Sequence, residues 1–346
     1  MSGGVDSSVA AKLLKDQGHE VAGIFLHFWK EEGIAGNFEN KCCSAEALLD
    51  ARRVADKIGI PLYTLNLAEI FKKQVVDNFL SEYGKGRTPN PCVICNKLVK
   101  LGYLIKQAKK LGFDYVATGH YVKNYKFKYK LLKAKDKSKD QSYFLYTLCQ
   151  EELAHLLFPL GAHTKAQVRG LAKKFKLPVA EKPESQEICF IPEKSHNEFL
   201  KRHLKLKPGP IVMTSGKVIG QHQGLPLYTI GQRKGIKIGG TGPYYVAKFD
   251  YQSNILYVVD RYDDKILYGQ ELFAKNVNWL AGTWPKLPLI CQAVIRYRHK
   301  PVKCVITKTS KNKFKVKFTQ PQRAITPGQS VVFYQGEEVL GGGIIC

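Results

Sequence analysis

Three cysteines have the spacing and the neighbours that sulfur chemistry requires. Cys92 and Cys95 form a Cys-x-x-Cys pair ahead of a predicted helix over Lys97–Leu111, and Cys189 lies in an apolar run predicted to be a short strand. A helix N-terminus and nearby basic side chains favour the thiolate, which is the reactive nucleophile. The chain has nine cysteines and no export signal. This pattern predicts a cytoplasmic protein whose paired thiols serve metal binding or catalysis.

A second chemical signal occupies the first eight residues, directly before a predicted helix over Val9–Leu14. Two glycines allow a tight turn that brings backbone N–H groups to an anion, and the helix start adds partial positive charge. The serines add hydroxyl donors, and the carboxylate could hold Mg²⁺ between phosphate oxygens. The pattern favours a phosphate-binding loop over an ordinary capped helix. Its predicted residues are Ser2, Gly3, Gly4, Val5, Asp6, Ser7 and Ser8.

Strands and helices alternate after this loop, which predicts an α/β fold with a Rossmann-like parallel sheet. The predicted strand Glu20–Phe28 ends near Leu26, where an open parallel sheet would bind adenine. The predicted strand Asp114–Val122 contains Gly119 near its end, and glycine there permits close approach of a ligand. The adjacent His120 either orients a substrate or is a structural histidine.

Turn and cap residues set the boundaries of the elements that must carry these groups. Ser44 is predicted to cap a helix over Ala45–Ile58, and Gly59 is predicted to end it. Two prolines and two glycines between residues 84 and 96 predict a loop without a regular element. The segment Lys123–Lys139 carries eight lysines and is predicted to be a hairpin, either in contact with phosphates or solvated.

The second half of the chain has the alternating short runs of β structure. Residues 244–260 are predicted to form a hairpin, and residues from about 272 to 346 a small β-barrel. We therefore predict a catalytic domain over 1–200, a central domain over 201–268 and a barrel domain over 269–346. The predicted barrel strands are Gln292–Tyr297, Val302–Thr307, Lys313–Phe318 and Ser330–Tyr334.

The charge of the chain is strongly positive. Fifty-four Lys and Arg residues against 29 Asp and Glu residues give a net charge of +25. Such an excess predicts a polyanionic partner, most simply nucleic acid bound through its phosphates. A lysine-rich proteome is the alternative explanation. No apolar run approaches the roughly 20 residues that span a bilayer, so no membrane partner is predicted.

The stretch Ser-Gly-Gly-Val-Asp-Ser-Ser resembles the signature of the ATP pyrophosphatase (PP-loop) enzymes, which cleave ATP between its α- and β-phosphates. In that superfamily a buried strand leads into the loop, whereas only Met1 precedes it here. We interpret this difference as a mis-assigned start, since losing a central strand would expose helix faces. The alternative is a nucleotide site with an incomplete edge.

A narrower resemblance covers essentially the whole chain. Motifs at residues 2–8, 86–97, 117–122, 139–146, 185–191, 228–240 and 324–333 occur in the order found in tRNA-specific 2-thiouridylases. The resemblance implies ATP and Mg²⁺ as cofactors and a sulfur-relay donor protein as a partner. It also implies that O2 of the wobble uridine in the tRNAs for Lys, Glu and Gln is adenylated and then replaced by sulfur.

The same resemblance assigns residues to roles. It implies that Cys189 receives a persulfide and that Cys95 is the catalytic cysteine. The terminal sulfur then attacks C2 directly, or Cys95 releases it as sulfide by forming a disulfide with Cys189. Leu26 and Gly119 match positions that contact adenosine. The positions that match tRNA contacts are Asn90, Pro91, Cys92, His120, Lys139, Asp140, Gln141, Arg296, Tyr297 and Gln329.

Cys92 departs from the family pattern, because better-known members carry an aspartate there. A third thiol allows an alternative route in which Cys92, Cys95 and Cys189 hold a [4Fe–4S] cluster, although we rank the persulfide route first and assign no metal site. Two other functions remain open. One is an ATP-using synthetase with a small-molecule substrate, and the other is a non-enzymatic tRNA- or metal-binding protein.

Overall fold

The computed structural model describes residues 1–31, 44–125, 129–184, 188–191, 196–236, 238–239, 242–310 and 312–346. Its N-terminal part alternates helices with parallel strands, as predicted. Strands β1 and β2 pair in parallel, and so do β3 and β6. The elements are α1 (Val5–Asp16), β1 (Gly23–His27), α2 (Ala45–Ile58), β2 (Leu62–Asn66), α3 (Ala68–Phe71), α4 (Asp77–Gly84), α5 (Pro91–Cys95), α6 (Gly102–Lys110), β3 (Val116–Ala117), β4 (Val122–Tyr125), β5 (Lys130–Lys133), α7 (Gln150–Ala154), β6 (Leu156–Leu157), α8 (Lys165–Lys174) and α9 (His196–His203).

Helix α2 forms with the predicted bounds because both of its ends are stabilised locally. The Ser44 hydroxyl accepts a hydrogen bond from the Ala47 N–H at 3.0 Å, which satisfies a backbone donor that the helix leaves unpaired. At the other end Gly59 adopts a φ of +67°, the left-handed conformation that glycine accepts most easily. The predicted start and end of α2 are therefore confirmed.

Three predictions about the cysteine segments were wrong. Residues 91–95 are not a loop but helix α5, since Pro91 occupies the first helical position, where its missing N–H costs nothing. The predicted helix over Lys97–Leu111 is interrupted, because a π-helical turn at Asn96–Lys100 precedes α6. Cys189 does not lie in a strand. It lies in a turn that the Ile191 N–H closes by donating to the Ile188 carbonyl at 3.1 Å.

A four-stranded sheet follows α9, and its order is β8-β7-β10-β9. β7 and β10 are parallel, whereas the outer pairs are antiparallel. The hairpin predicted over 244–260 is confirmed by β9 and β10, and Asn254 has a φ of +53° in its turn. The four strands are β7 (Gly209–Met213), β8 (Val218–His222), β9 (Tyr245–Asp250) and β10 (Ile255–Val259).

The predicted C-terminal barrel is confirmed. Six strands pair in the order β11-β14-β13-β12-β15-β16, and β16 returns to pair with β11, which closes the sheet. Sequence patterns located the middle four strands but not β16, whose three consecutive glycines (341–343) are unfavourable in strands. The six strands are β11 (Tyr268–Trp279), β12 (Leu289–Val294), β13 (Val302–Ser310), β14 (Lys313–Arg323), β15 (Ser330–Gln335) and β16 (Glu338–Ile345).

The barrel is attached directly to the N-terminal unit. The predicted hairpin of lysines is present as β4 and β5, and Leu132 of β5 pairs with Glu338 of β16. The Tyr143 hydroxyl donates to the Ser330 carbonyl at 2.9 Å, and the Asn278 amide donates to the Tyr146 carbonyl at 2.7 Å. These contacts join the barrel to the N-terminal unit through β5, Tyr143 and Tyr146. No helix in the described ranges is long and apolar enough to cross a membrane.

Candidate active site

The predicted phosphate loop is a tight turn whose shape depends on Gly3. Gly3 has a φ of +65°, and a Cβ there would lie 2.2 Å from the Ala47 carbonyl oxygen of α2. Gly4 is the N-cap of α1, and within the described residues no side chain caps the first turn of that helix. Its N–H groups are therefore available to an anion at the positive end of a twelve-residue helix.

The three serines of the loop have different roles. The Ser2 and Ser7 hydroxyls lie 3.2 Å apart, and the Ser2 N–H donates to the Ser7 hydroxyl at 3.1 Å. Both residues are at least partly exposed and can turn toward a ligand. Ser8 is fully buried, and its hydroxyl donates to the Gly4 carbonyl at 2.8 Å. This bond closes the loop from inside, so we assign Ser8 to shaping the loop.

Gly119 lies directly against the phosphate loop. A Cβ on Gly119 would lie 2.9 Å from both the carbonyl carbon of Asp6 and the nitrogen of Ser7. Only a residue without a side chain lets this chain segment approach the first turn of α1 so closely. Leu26, the other predicted adenosine contact, lies on β1, where it pairs with Leu65 of β2.

The Asp6 carboxylate is already engaged by a cation. The Lys165 ammonium lies 2.8 Å from both of its oxygens, and the Tyr121 hydroxyl donates to it at 2.7 Å. Burial, with the charge of Asp6 adding to it, raises the pKa of Tyr121, which stays a donor. Lys165 also lies 3.0 Å from Glu184, which in turn pairs with Lys139 at 2.7 Å.

Sequence reasoning missed Lys165, although a signal was present. Lys165 is 8% exposed and opens α8 directly after the capping residue Thr164. A cation is disfavoured at the positive end of a helix, and a buried lysine needs an ionic partner. A lysine in the first turn of a capped helix therefore predicts acidic partners, but not which ones.

The three predicted thiols line one cavity. This cavity has a volume of about 120 Å³, and phenylalanines at 71, 144 and 190 form its apolar walls. Cys95 is buried, Cys189 is half-buried and Cys92 is exposed. Cys92 and Cys95 lie one helical turn apart on α5, whose N-cap Asn90 accepts from the Val93 N–H at 3.4 Å. The predicted residues that line the cavity are Pro91, Cys92, Cys95, His120, Gln141 and Cys189.

His120 links the cavity to the phosphate loop, because it lines the cavity while its neighbour Gly119 touches the loop. Its Nδ1 lies 2.8 Å from the Thr118 hydroxyl. Burial of the ring, with the nearby charge of Lys100, lowers the pKa of His120 to about 3. The imidazole is therefore neutral at physiological pH and can orient a substrate without adding charge.

We predict that His120 makes the protein less stable in acid. Its folded-state pKa of about 3 lies below the 6.5 of an ordinary imidazole, so between these values the unfolded chain binds the extra proton. This linkage removes about 2 kcal/mol of unfolding free energy between pH 7.5 and pH 5. Urea titrations at both pH values should show that His120→Gln loses less unfolding free energy than the wild type when the pH falls from 7.5 to 5. His19→Gln, at an exposed position, should behave as the wild type, and equal losses in all three proteins would refute the assignment.

The remaining predicted tRNA contacts lie around the cavity rather than in it. The Asp140 carboxylate accepts from the Ala134 N–H at 2.9 Å and from the Ser142 hydroxyl at 2.7 Å, so it shapes its own turn. The Arg296 guanidinium donates to the Thr326 hydroxyl at 3.0 Å. The Tyr297 ring lies 4.5 Å from the ring of Phe144, which borders the cavity.

Metal ligation has little support in this arrangement. In the part of the chain that the structure describes, no group of three or more His, Cys, Asp or Glu side chains is arranged to hold a metal ion. The three thiols share a cavity but do not form such a group, and the Asp6 carboxylate is paired with Lys165. In the described part of the chain, the three thiols and Asp6 thus do not form, in this conformation, the donor sets expected for a [4Fe–4S] cluster or for a protein-held Mg²⁺.

The fold and the site define a class of enzyme. It is an α/β protein of the ATP pyrophosphatase type, in which a phosphate loop adjoins a thiol-lined cavity and two β domains follow. Comparisons with known families agree. The tRNA methyl transferase HUP domain family matches residues 1–193, its PRC-barrel domain family matches residues 197–260, and the aminomethyltransferase β-barrel domain family matches residues 269–345.

Relatives that match the whole chain identify its family more narrowly. The chain is 49% identical to tRNA-specific 2-thiouridylase MnmA of Carboxydothermus hydrogenoformans, over all of this chain and 96% of that protein. It is 46% identical to the protein of the same name from Moorella thermoacetica, over 100% and 98% of the two chains. The chain belongs to the tRNA-specific 2-thiouridylase family. Among solved structures, NMN synthetase from Francisella tularensis aligns at 18% identity over 54% of this chain and 64% of that one, with a TM-score of 0.34, too low to support any argument.

Proposed function

We propose that this protein is a tRNA 2-thiouridylase that uses ATP to activate O2 of the wobble uridine and then replaces this oxygen by sulfur. The observation that carries the proposal is the juxtaposition of a phosphate loop and a thiol-lined cavity across the adjacent residues Gly119 and His120. The full-length relatives bear the name of this activity. Three thiols at the cavity suit sulfur transfer better than the methyl transfer in the family descriptions.

The loop accounts for the activation step. Uracil O2 is a poor leaving group, and transfer of AMP to it makes it a good one while pyrophosphate departs. The N–H groups of the first turn of α1 and the Lys165 ammonium would stabilise the phosphate charge. Asp6 holds Lys165 in place through both of its oxygens. We infer that Mg²⁺ arrives with ATP, and we attribute no step to a metal ion held by the protein.

The cavity accounts for the sulfur step. Cys189 would carry a persulfide that a sulfur-relay donor protein delivers. The terminal sulfur attacks C2 of the activated uridine, after which the Cys95 thiolate attacks Cys189 Sγ and breaks the S–S bond, leaving the sulfur on C2. Alternatively, the Cys95 thiolate first attacks Cys189 Sγ and releases sulfide, which then attacks C2. A Cys95–Cys189 disulfide forms in either case. Both routes expel AMP and yield 2-thiouridine. The base must leave its stack to reach these groups, and Asn90, Pro91, Cys92, His120 and Gln141 are the proposed contacts of the extruded base.

The net charge of +25 supports a tRNA substrate. We assign Lys139, Arg296 and Tyr297 to the tRNA-facing surface around the cavity, and we propose the anticodon arms of the tRNAs for Lys, Glu and Gln as the substrates. We propose a cytoplasmic location because the proposed tRNA substrates are available there. Asp140 would act by shaping the turn between Lys139 and Gln141.

A second route keeps the same reaction but replaces the persulfide by a [4Fe–4S] cluster. The position of Cys92 at the cavity favours it, although the three thiols do not form a metal-binding group in this conformation. Iron analysis of anaerobically prepared protein decides between the routes. About four irons per chain, with broad absorbance near 400 nm, would replace the persulfide route.

The function is tested by incubating the protein with a tRNA(Lys) transcript, ATP and a persulfide donor, followed by mass spectrometry of the nucleosides. We expect 2-thiouridine at position 34 and release of pyrophosphate that depends on tRNA. Release of pyrophosphate without tRNA would indicate a small-molecule synthetase. Tight tRNA binding without product would indicate a non-enzymatic RNA-binding protein.

A further inference from the structure

The loop that leads into the cysteine helix is held by the barrel. The Gln329 amide donates to the carbonyls of Thr88 at 3.0 Å and Pro89 at 3.3 Å. In the opposite direction, the Thr88 N–H donates to the Pro327 carbonyl at 2.9 Å. Three hydrogen bonds therefore join two short chain segments that lie about 240 residues apart.

Glycine makes this approach possible. Gly328 has a φ of +92°, and a Cβ on it would lie 2.9 Å from the Arg87 Cβ and from the backbone nitrogen and oxygen of Thr88. Asn90, the N-cap of α5, is also hydrogen-bonded to Tyr143, whose hydroxyl donates to the Ser330 carbonyl. The barrel turn 326–330 thus contacts residues 87–89 directly and is connected through Tyr143 to Asn90, the cap of the cysteine helix.

The central domain supports the same loop from another side. The Thr229 and Thr88 hydroxyls lie 3.2 Å apart. A Cβ on Gly86 would lie 2.3 Å from the ring of Tyr251, so the loop also packs tightly against the β9–β10 hairpin. Both β domains therefore converge on the five residues that immediately precede Pro91 and Cys92.

We propose that Gln329 is a positioning residue of the thiolation site, which sets the location of Cys92 and Cys95 before tRNA binds. The inference rests on the proposed function and assigns to the barrel a role in catalysis besides tRNA binding. The resemblance to the family suggests instead that Gln329 contacts tRNA. The two roles differ in a measurable way, since a positioning residue acts in the absence of tRNA.

Arg296 connects the proposed tRNA-facing surface to the barrel turn 326–330. Its guanidinium donates to the Thr326 hydroxyl, which in turn donates to the Ala324 carbonyl at 2.8 Å. The predicted tRNA contact Arg296 is therefore hydrogen-bonded to the turn that holds the loop 86–90. tRNA bound at Arg296 would act on the same turn that positions the cysteine helix.

The test compares Gln329→Glu with Gln322→Glu. Both substitutions remove an amide that donates to two neighbouring backbone carbonyls and add the same charge, but Gln322 bonds to Gln320 and Pro321 within the barrel. Without tRNA, iodoacetamide labelling of the buried Cys95 should be about tenfold faster in Gln329→Glu only. At saturating tRNA its single-turnover thiolation rate should fall about tenfold, while the two variants share the same tRNA Kd.

Gln329→Met keeps the length of the side chain without adding charge. It should reproduce both the faster labelling of Cys95 and the slower thiolation. Weaker tRNA binding in Gln329→Glu than in Gln322→Glu, with unchanged Cys95 labelling and an unchanged saturated rate, would overturn the proposal and make Gln329 a tRNA contact. Wild-type labelling in Gln329→Met would also overturn it. The labelling assay needs no tRNA, so it tests the positioning role even if the wild-type protein proves not to thiolate.

Discussion

We expect the replacement of Cys95 by alanine to abolish 2-thiouridine formation, a fall of more than about a thousandfold, while the affinity for tRNA stays within about twofold of the wild type. Cys95 is buried at the cavity and supplies no charge to the tRNA-facing surface. Its loss removes either the thiolate that attacks Cys189 Sγ in both forms of the persulfide route or a ligand of the alternative cluster. Under both routes the sulfur step fails.

Cys189→Ala should have an equally large effect, because it removes the thiol to which the proposed mechanism assigns the persulfide. Mass spectrometry of the tRNA nucleosides measures the product, and filter binding measures tRNA affinity. Cys346→Ala is the matched control, since Cys346 is exposed and its thiol contacts only the Phe273 carbonyl among the contacts described. If either active-site variant thiolates at the wild-type rate, the role assigned to that cysteine is wrong.

The elements that could be predicted from sequence are those in which neighbouring residues decide the conformation. The Ser44 cap and the left-handed Gly59 bound α2 within a single short segment. The β9–β10 hairpin and the middle strands of the barrel follow from alternation and turn residues in the same way. Even so, Pro91 was interpreted as a breaker of helices, although it is accommodated at the first position of α5.

The parts that could not be predicted depend on contacts between distant segments. The Asp6–Lys165 pair joins residues 159 positions apart, and the Gln329–Thr88 bond joins residues 241 positions apart. Strand β16 forms through glycines because a Cβ at Gly341 would lie 2.1 Å from the Asn278 carbonyl oxygen. Composition argues against a strand there, and the close approach of β11 at Gly341 and of Val331 on β15 at Gly342 explains the glycines.

Some residues of the site can be predicted from local sequence patterns, and others cannot. The cysteines and the phosphate loop have distinctive local patterns, and resemblance to a family assigned their roles. Lys165 lacks such a pattern, although it is the cation nearest to the loop carboxylate. Its place in the site follows from the packing of α8 beside α1, which no local pattern encodes.

We expect Gly119→Ala to lower kcat/KM for ATP strongly, although the substitution adds only one methyl group. The new Cβ would lie 2.9 Å from the backbone of Asp6 and Ser7, where no flexible side chain can move aside. The first turn of α1 must therefore shift, and with it the N–H groups that would hold the phosphates. Since a misplacement of about 1 Å can cost about a hundredfold in rate, kcat/KM for ATP should fall by roughly that factor.

The matched control for this prediction is Gly170→Ala on α8, where an added Cβ meets nothing within 4 Å. This substitution should leave kcat/KM unchanged and stabilise the helix by about 0.5–1 kcal/mol. Pyrophosphate release at varied ATP concentrations measures the first effect, and thermal unfolding measures the second. If Gly119→Ala keeps the wild-type kcat/KM for ATP, then Gly119 does not bring its strand end against a working phosphate loop. The nucleotide would have to bind elsewhere, and the proposed path from the loop through Gly119 and His120 to the thiols would be lost with it.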